Sequence, residues 1–450
     1  MPCHWARVSE DSNTPNGVSA DTSASHKHPL AIPNFLAYWV GRMTLTLAQY
    51  SMLLVIGWQT YNIARDAGLS VAGASGQLAL IGLLQFIPLF ALTPFVGLVA
   101  DRYDRRKIVL GTVVLQLTCA VVLAWVTYHG DTTIPVLFSI AVALGVARAF
   151  SGPALSALAP NLVPREILPN AIALSSIGWQ VGMIVGPALG GYLYGFYPWL
   201  PYVTAAILYC VCFTAFALIG KVPQPAVRKD QRPIGQIVDG MRYVWHNKMV
   251  FGSITLDLFA VFLAGATALF PVYARDILQV GSAGLGQLAM APAVGAAVTA
   301  AVFSVRPLKS NVGPKMLGSV VVFGTATVIF GFSTSMPLSL AMLAIIGAAD
   351  MFSVYIRQSL IQLHTPDDKR GRVSAVSQMT ISASNEFGDF FSGSLAFLFG
   401  PVAAVVTGGM GAIITVAVWS RMFPVLWATK TFDPPEQLLE EAQRNKNQEA

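Results

Sequence analysis

Long apolar stretches recur along this chain at nearly even spacing, and that feature decides most of what it can fold into. They cover about 34–60, 77–100, 107–129, 134–157, 170–194, 200–220, 249–273, 286–306, 314–335, 337–358, 374–397 and 402–427. Each is near the roughly 20 residues that an α-helix needs to cross the hydrocarbon of a bilayer. They are rich in Ala, Leu and Gly and lack the period-two alternation of barrel strands, so the expectation is twelve transmembrane helices. Only 11% of the 450 residues are charged, against about 25% in soluble domains. That excludes a soluble globular fold, and the apolar content excludes disorder over most of the chain.

Residues 1–33 are polar and read as a disordered cytoplasmic tail. Their first 30 residues lack the basic start, apolar run and cleavage site of a signal peptide. Lys and Arg give the orientation. The loops after spans 2, 4, 6, 8 and 10 hold Arg102, Arg105, Arg106, Lys107, Arg165, Lys221, Arg228, Lys229, Arg232, Arg242, Lys248, Arg306, Lys309, Lys315, Arg357, Lys369, Arg370 and Arg372; the opposite loops hold Arg65 and Arg275. The positive-inside rule then puts both termini in the cytoplasm of a multi-pass protein of the plasma (inner) membrane. Basic residues spread along one membrane face, with no DNA-binding motif, argue against a nucleic-acid partner.

The chain repeats itself. Ala64-Arg65-Asp66 and Gly76-Gln77-Leu78-Ala79 recur 210 residues later as Ala274-Arg275-Asp276 and Gly286-Gln287-Leu288-Ala289. Pro164 aligns with Pro366 and Gly186 with Gly388 at an offset of 202. The fold class expected is therefore all-α integral membrane, two pseudo-symmetric six-helix bundles at 34–220 and 249–427. A cytoplasmic linker at 221–248 joins them and a tail follows at 428–450. Part of the linker, Ile234–Trp245, suits a surface amphipathic helix. Parallel six-helix repeats describe a secondary transporter with its substrate site between the halves.

Three motifs sharpen this. The loop after span 2 reads Gly97-Leu98-Val99-Ala100-Asp101-Arg102-Tyr103-Asp104-Arg105-Arg106-Lys107. Span 4 carries Leu144-x-x-x-Arg148-x-x-x-Gly152, and span 5 carries Gly182-x-x-x-Gly186-Pro187-x-x-Gly190-Gly191. Small residues let helices approach closely and the proline bends the helix. The loop resembles the signature of the major facilitator superfamily, with Asp104 where the common form has Gly. The span-5 string resembles one frequent in exporters that exchange substrate for protons. Arg148-Ala149-Phe150-x-x-Pro153-Ala154, Leu162-Val163-Pro164-Arg165 and Arg370-Gly371-Arg372-Val373 are similar to the enterobactin-exporter-like branch. The resemblance implies that Asp101 latches the cytoplasmic side, to Arg372 or to the start of span 11. It also implies that spans 1, 4, 7 and 10 line a central cavity.

Each of those four spans supplies one charge: Arg42, Arg148, Asp257 and Asp350. An ionisable group at span centre costs roughly 2.5–3.5 kcal/mol on insertion scales, so each needs a partner, water or a task. The functional reading is a cavity or gate that closes by ion pairing across the halves. The structural reading is a fixed pairing that holds the halves in register. On span 11, Gln378, Ser382, Asn385, Glu386 and Asp389 share one face. Low dielectric disfavours a bare carboxylate, which suits Glu386 first, then Asp389 and Asp257, to carry a proton; hydrogen bonding as a neutral acid is the bland alternative. Arg42, Thr46 and Gln49 on span 1, Gln180 on span 5 and Asn385 suit a substrate path.

Cys119, Cys210 and Cys212 lie in apolar stretches, no Cys/His cluster has metal spacing, and no Gly-rich nucleotide loop occurs. No metal, cofactor or catalytic constellation is expected, and the protein is not read as an enzyme. The expectation is a monomeric exporter of a small organic molecule, siderophore-like or an amphiphilic drug, exchanging it for protons by alternating access. The alternatives are a lipid or lysolipid translocator of the same fold, or a membrane partner or sensor without transport.

Overall fold

Short polar signals start and stop the helices. Ser70 caps one by accepting from the Gly73 amide at 3.0 Å. Asp104 accepts from the Arg106 amide at 2.9 Å, which accounts for an acid where the loop motif commonly has Gly. Asn247 caps another through the Met249 and Val250 amides. Gly130 and Gly400 take the left-handed side of φ, at 78° and 87°, where the chain reverses between spans.

In the computed structural model these signals bound α1 Pro33–Asp66, α2 Val71–Arg102, α3 Arg105–His129, α4 Ile134–Leu158, α5 Leu168–Phe196 and α6 Leu200–Leu218. The linker helix α7 is Pro233–His246. Then come α8 Lys248–Leu263, α9 Gly281–Val305, α10 Val312–Gly331, α11 Met336–Leu363, α12 Asp367–Phe399, α13 Pro401–Met422 and the short α14 Pro424–Ala428. The structure describes residues 28–164, 167–220, 233–306, 308 and 310–432, without the side chains of 93, 94, 97, 98, 100–102, 157, 160, 169, 233–238, 367, 368, 375, 382, 383 and 386. The tails at 1–27 and 433–450 and the linker at 221–232 lie outside the described residues.

The protein is an all-α membrane protein, and among the described residues there is no strand. Among the described residues ten helices are long and apolar enough to cross a membrane. Helices α1 and α12 make this consistent with the twelve expected. They are longer, at 34 and 33 residues, but more polar, because they carry Arg42 to Ser51 and Gln378 to Asp389.

The two halves pack by the same scheme. In the first, α1 lies against α5 and α6, α2 against α4, and α3 against α4 and α6. In the second, α8 lies against α12 and α13, α9 against α11, and α10 against α11 and α13. Glycines set the closest approaches. Gly145 faces the Gln85 backbone, and its partner 202 residues on, Gly347, faces Pro292. The halves meet along two seams, α2 with α12 and α5 with α9.

Two boundaries differ from the apolar pattern. Helix α11 runs to Leu363, so Arg357 is inside the span and 2% exposed, not in a cytoplasmic loop. Arg370 and Arg372 likewise lie within α12. Helix α12 begins ahead of its apolar stretch because its first turns are charged, with Arg370 exposed and Arg372 paired to Asp239.

Span 7 is broken. After α8 the chain turns at Ala264–Ala266, then continues through Thr267–Leu269 and Phe270–Val272 into a π-turn, Tyr273–Ile277. Gly265 permits the break to press on α12, where a Cβ would sit 2.9 Å from the Gly388 carbonyl carbon.

Candidate functional site

The halves are tied at one end by the repeated Ala-Arg-Asp triplet. Arg65 at the end of α1 pairs with Asp276 at 2.9 Å, and Arg275 pairs with Asp66 at 2.6 Å. Each half therefore lends an acid to the other's arginine. The Tyr61 hydroxyl donates to Asp276 at 2.5 Å, and Arg275 donates to the Asn62 side chain at 2.5 Å. The π-turn places Arg275 and Asp276 here by adding a residue to the helical turn. The sequence displayed the triplets as evidence of duplication; their reciprocal pairing is what the fold adds.

Both seams close at this same end. A Cβ on Gly191 would meet Gly286 at 2.8 Å, and Gln287 donates to the Tyr192 hydroxyl at 2.6 Å. On the other seam Gly76 meets Phe397, Gly393 meets Ala79, and Phe86 meets Phe387 edge-on at 5.0 Å. Towards the end that holds Lys248, residues that continue these helices are exposed, among them Phe90, Ile172, Val298 and Val302.

The span-5 motif works on two faces. Gly182, Gly186 and Gly190 face Thr46, Leu47, Tyr50 and Ser51 of α1, and a Cβ at any of them would come within 3 Å. Gly191 and Pro187 face the opposite half at Ser282 and Gly286. In the loop motif, Arg106 donates to the Phe216 carbonyl at 2.9 Å and to that of Ala217, which caps the end of α6. The side chains of Gly97, Asp101 and Arg102 lie outside the described residues. The described partner of Arg372 is Asp239 of α7, at 2.8 Å.

The charges of spans 1, 4, 7 and 10 have these partners among the described residues. Arg42 donates to the Tyr38 hydroxyl at 2.7 Å, and Arg148 to Gln85 at 3.3 Å. Asp257 forms an ion pair with Arg357, at 7% and 2% exposure. Asp350 is half-buried two helical turns before Arg357, on the same face of α11. Arg357 is the residue the sequence reading assigned to topology. Its position 7 residues after Asp350, on the same helical face, was the available signal.

The remaining candidates point in several directions. Thr46 is buried against Gly182 and its hydroxyl donates to the Arg42 carbonyl. Gln49 donates to Gln116 of α3 at 2.8 Å. Gln180 is half-buried, and its Oε1 has no hydrogen-bond partner among the described residues. Asn385 is exposed. Asp389 accepts from Thr267, just past the break in span 7, at 2.8 Å. The Glu386 side chain, like that of Ser382, lies outside the described residues. Among the described residues no group of three or more His, Cys, Asp or Glu is placed to hold a metal.

Two tied half-bundles with buried charge facing between spans 7 and 10 define a membrane transporter. The family model of the Major Facilitator Superfamily matches residues 34–389, and the chain belongs to that superfamily. The enterobactin exporter EntS of Shigella boydii serotype 18 is 26% identical over 393 residues, 86% of this chain and 90% of that protein. EntS of Escherichia coli O139:H28 matches to the same extent. Among solved structures, the nucleoside transporter NupG superposes with a TM-score of 0.62 at 14% identity, covering 87% of this chain and 99% of that one. A bacterial homologue of the human lysosomal transporter Spinster, inward-facing and occupied, gives 0.64 at 14%, covering 90% and 97%. These two show the fold alone. The chain is thus a multi-pass membrane transporter, with exporters among its relatives.

Proposed function

We propose that this protein exports a small organic molecule across the plasma membrane by alternating access, in exchange for protons. The observation that carries the reading is the reciprocal Arg65–Asp276 and Arg275–Asp66 pairing. It ties the half-bundles at one end, and a transporter open to one side at a time needs such a tie on its closed side. The positive-inside rule makes that end the extracellular one and both termini cytoplasmic, so this form is open to the cytoplasm, ready to load cargo.

Asp257, Glu386 and Asp389 are the proton-coupling carboxyls. Arg42, Arg148, Asp257 and Asp350 are the charges that the cavity and its cytoplasmic gate use. Gln49, Gln180 and Asn385 lie on the substrate path, with Thr46 behind them against the span-5 glycines. The name of the EntS relatives supports a siderophore-like cargo first; the span-5 motif, with its likeness to exporters, supports an amphiphilic drug next. A lipid translocator needs a lateral opening between spans 2 and 11 or 5 and 8. Both seams are packed at the tied end, while Phe90, Ile172 and Val298 of spans 2, 5 and 8 are exposed towards the other. The protein acts as a monomer within the bilayer.

The test is uptake into inverted membrane vesicles containing the protein, under an imposed pH gradient, with enterobactin and a set of cationic dyes. Gradient-dependent uptake above protein-free vesicles is expected. No gradient-dependent uptake of any of them sinks the reading.

A further inference from the structure

The buried ion pair of the second half has one carboxyl too many. Asp350, Ser353 and Arg357 fall at i, i+3 and i+7 on α11 and so share a face, with Asp257 opposite on α8. Ser353 is 5% exposed, close to the values for Asp257 and Arg357. Asp257 closes on Arg357, and Asp350, half-buried, lies two helical turns before Arg357 on the same face of α11. Two carboxyls therefore share one guanidinium, which stays charged at any physiological pH. The cluster is neutral when one carboxyl holds a proton and carries one negative charge when neither does.

A structural role needs only the pair. Removing two charges from water costs several kcal/mol per ion, and a second carboxylate with no cation of its own adds to that cost. Nor is the pair an inheritance of the fold. At the repeat offsets of 210 and 202, the counterparts of Asp257 and Arg357 are Leu47 and Leu155.

Arg357 supplies an independent sign that something is exchanged here. It is 2% exposed, and among the described residues neither its Nε nor its Nη1, the atom paired with Asp257, makes a hydrogen bond of full geometry. An unmet donor on a buried cation is destabilising. An ionised Asp350 on the same face would accept from it. The helices packed on α11 bring other charges in few places, and the Glu386 side chain of α12 lies outside the described residues. Helix α9 presents Pro292, Gly295 and Phe303, and the one charge on α10 is Lys315, in its first turn. On α12, Asp389 is engaged by Thr267.

We propose that Asp257, Asp350 and Arg357 form a one-proton binding site, with Asp350 the carboxyl that takes up and releases the proton. Arg357 is its positioning residue. With the proton on Asp350, Arg357 rests on Asp257, the arrangement observed here. When the proton leaves, Asp350 becomes a carboxylate and draws the Nε of Arg357, so that one cation spans both acids. This site rests on the proton-exchange reading above and adds a carboxyl to it on span 10.

The experiment is infrared difference spectroscopy of the full-length protein in lipid nanodiscs, between alkaline and acid buffer, with no cargo present. The wild type should show a protonated-carboxyl band whose Asp350 component is missing in Asp350→Asn and displaced but present in Asp350→Glu. Asp257→Asn leaves Arg357 wholly to Asp350 and should weaken proton binding at least about tenfold, one pH unit in the midpoint. Glu386→Gln and Asp389→Asn should keep the Asp350 component. Identical spectra for wild type and Asp350→Asn, or an unmoved midpoint in Asp257→Asn, overturn the proposal. Because the band is read without transport, a protein that shows it but is not driven by a pH gradient keeps the proton site and loses the antiport reading. Gradient-driven transport with an unchanged band in Asp350→Asn does the reverse.

Discussion

Replacing Asp276 by Asn tests whether the paired ends hold one side of the protein shut. Asp276 accepts from Arg65 at 2.9 Å and from Tyr61 at 2.5 Å, with about a fifth of its side chain exposed. A hydrogen bond to a charged group contributes about 1.5–3 kcal/mol when sheltered, and an exposed ion pair about 0–1 kcal/mol. The Arg65 pair lies between these limits, at about 1–2 kcal/mol, while an Asn at 276 keeps an acceptor for Tyr61. The second pair adds less, since the Asp66 side chain is 70% exposed. The closed-to-open ratio at this end should therefore fall about 5- to 30-fold. Spin labels at Asp131 and Thr334, exposed loop positions of the two halves at the tied end, report it by electron–electron distance measurement. The background has the four cysteines replaced by Ala. The wild type should give one short distance and Asp276→Asn a second, longer one, which the swap Arg65→Asp with Asp276→Arg removes. A distribution unchanged in Asp276→Asn, or a swap as open as the single variant, refutes the reasoning.

Other parts of the account can be checked by stability. Gly186→Val puts a branched side chain where a Cβ already lies 2.9 Å from the Leu47 carbonyl, so it should destabilise by about 1–3 kcal/mol in a thermal melt. Gly152→Ala, with nothing within 4 Å of the new carbon, should melt as the wild type does. Arg106→Ala uncaps α6 and should cost about 1–2 kcal/mol, with faster amide exchange over residues 214–220. Burial holds the His364 imidazole below its ordinary range, with its Nδ1 bonded to the Leu360 carbonyl at 3.0 Å. The unfolded chain then binds the proton more readily. Stability is full above the unfolded value of about 6.5 and falls as pH drops through it towards the lower folded value. A His364→Gln variant should flatten the acid limb of a melt-against-pH curve; an unaltered limb contradicts the assignment.

Spans and repeat were legible because they are written in length, apolarity and the recurrence of short strings along the chain. Glycine spacing in span 5 gave the motif, and the fold shows why it needs two faces, with α1 on one and the opposite half on the other. Pairing was harder to see. Arg357 looked like one more cytoplasmic arginine because hydropathy cannot distinguish a buried charge from a solvated one. The Arg65 and Arg275 triplets were visible as a repeat, but which acid each arginine meets depends on how the halves close and on a π-turn that no local pattern announces. The break at Gly265 was equally silent, since a glycine among apolar residues is ordinary in membrane helices.

The central claim is exchange of an organic molecule for protons, and proton movement caused by the cargo tests it most directly. The protein is reconstituted into liposomes loaded with a pH-sensitive dye, and a cargo found in the vesicle screen is added outside without any imposed gradient. Cargo entry should shift the internal pH upward as protons leave, and protein-free liposomes should show no such shift. Cargo entry at the same rate with no change in internal pH would contradict that claim.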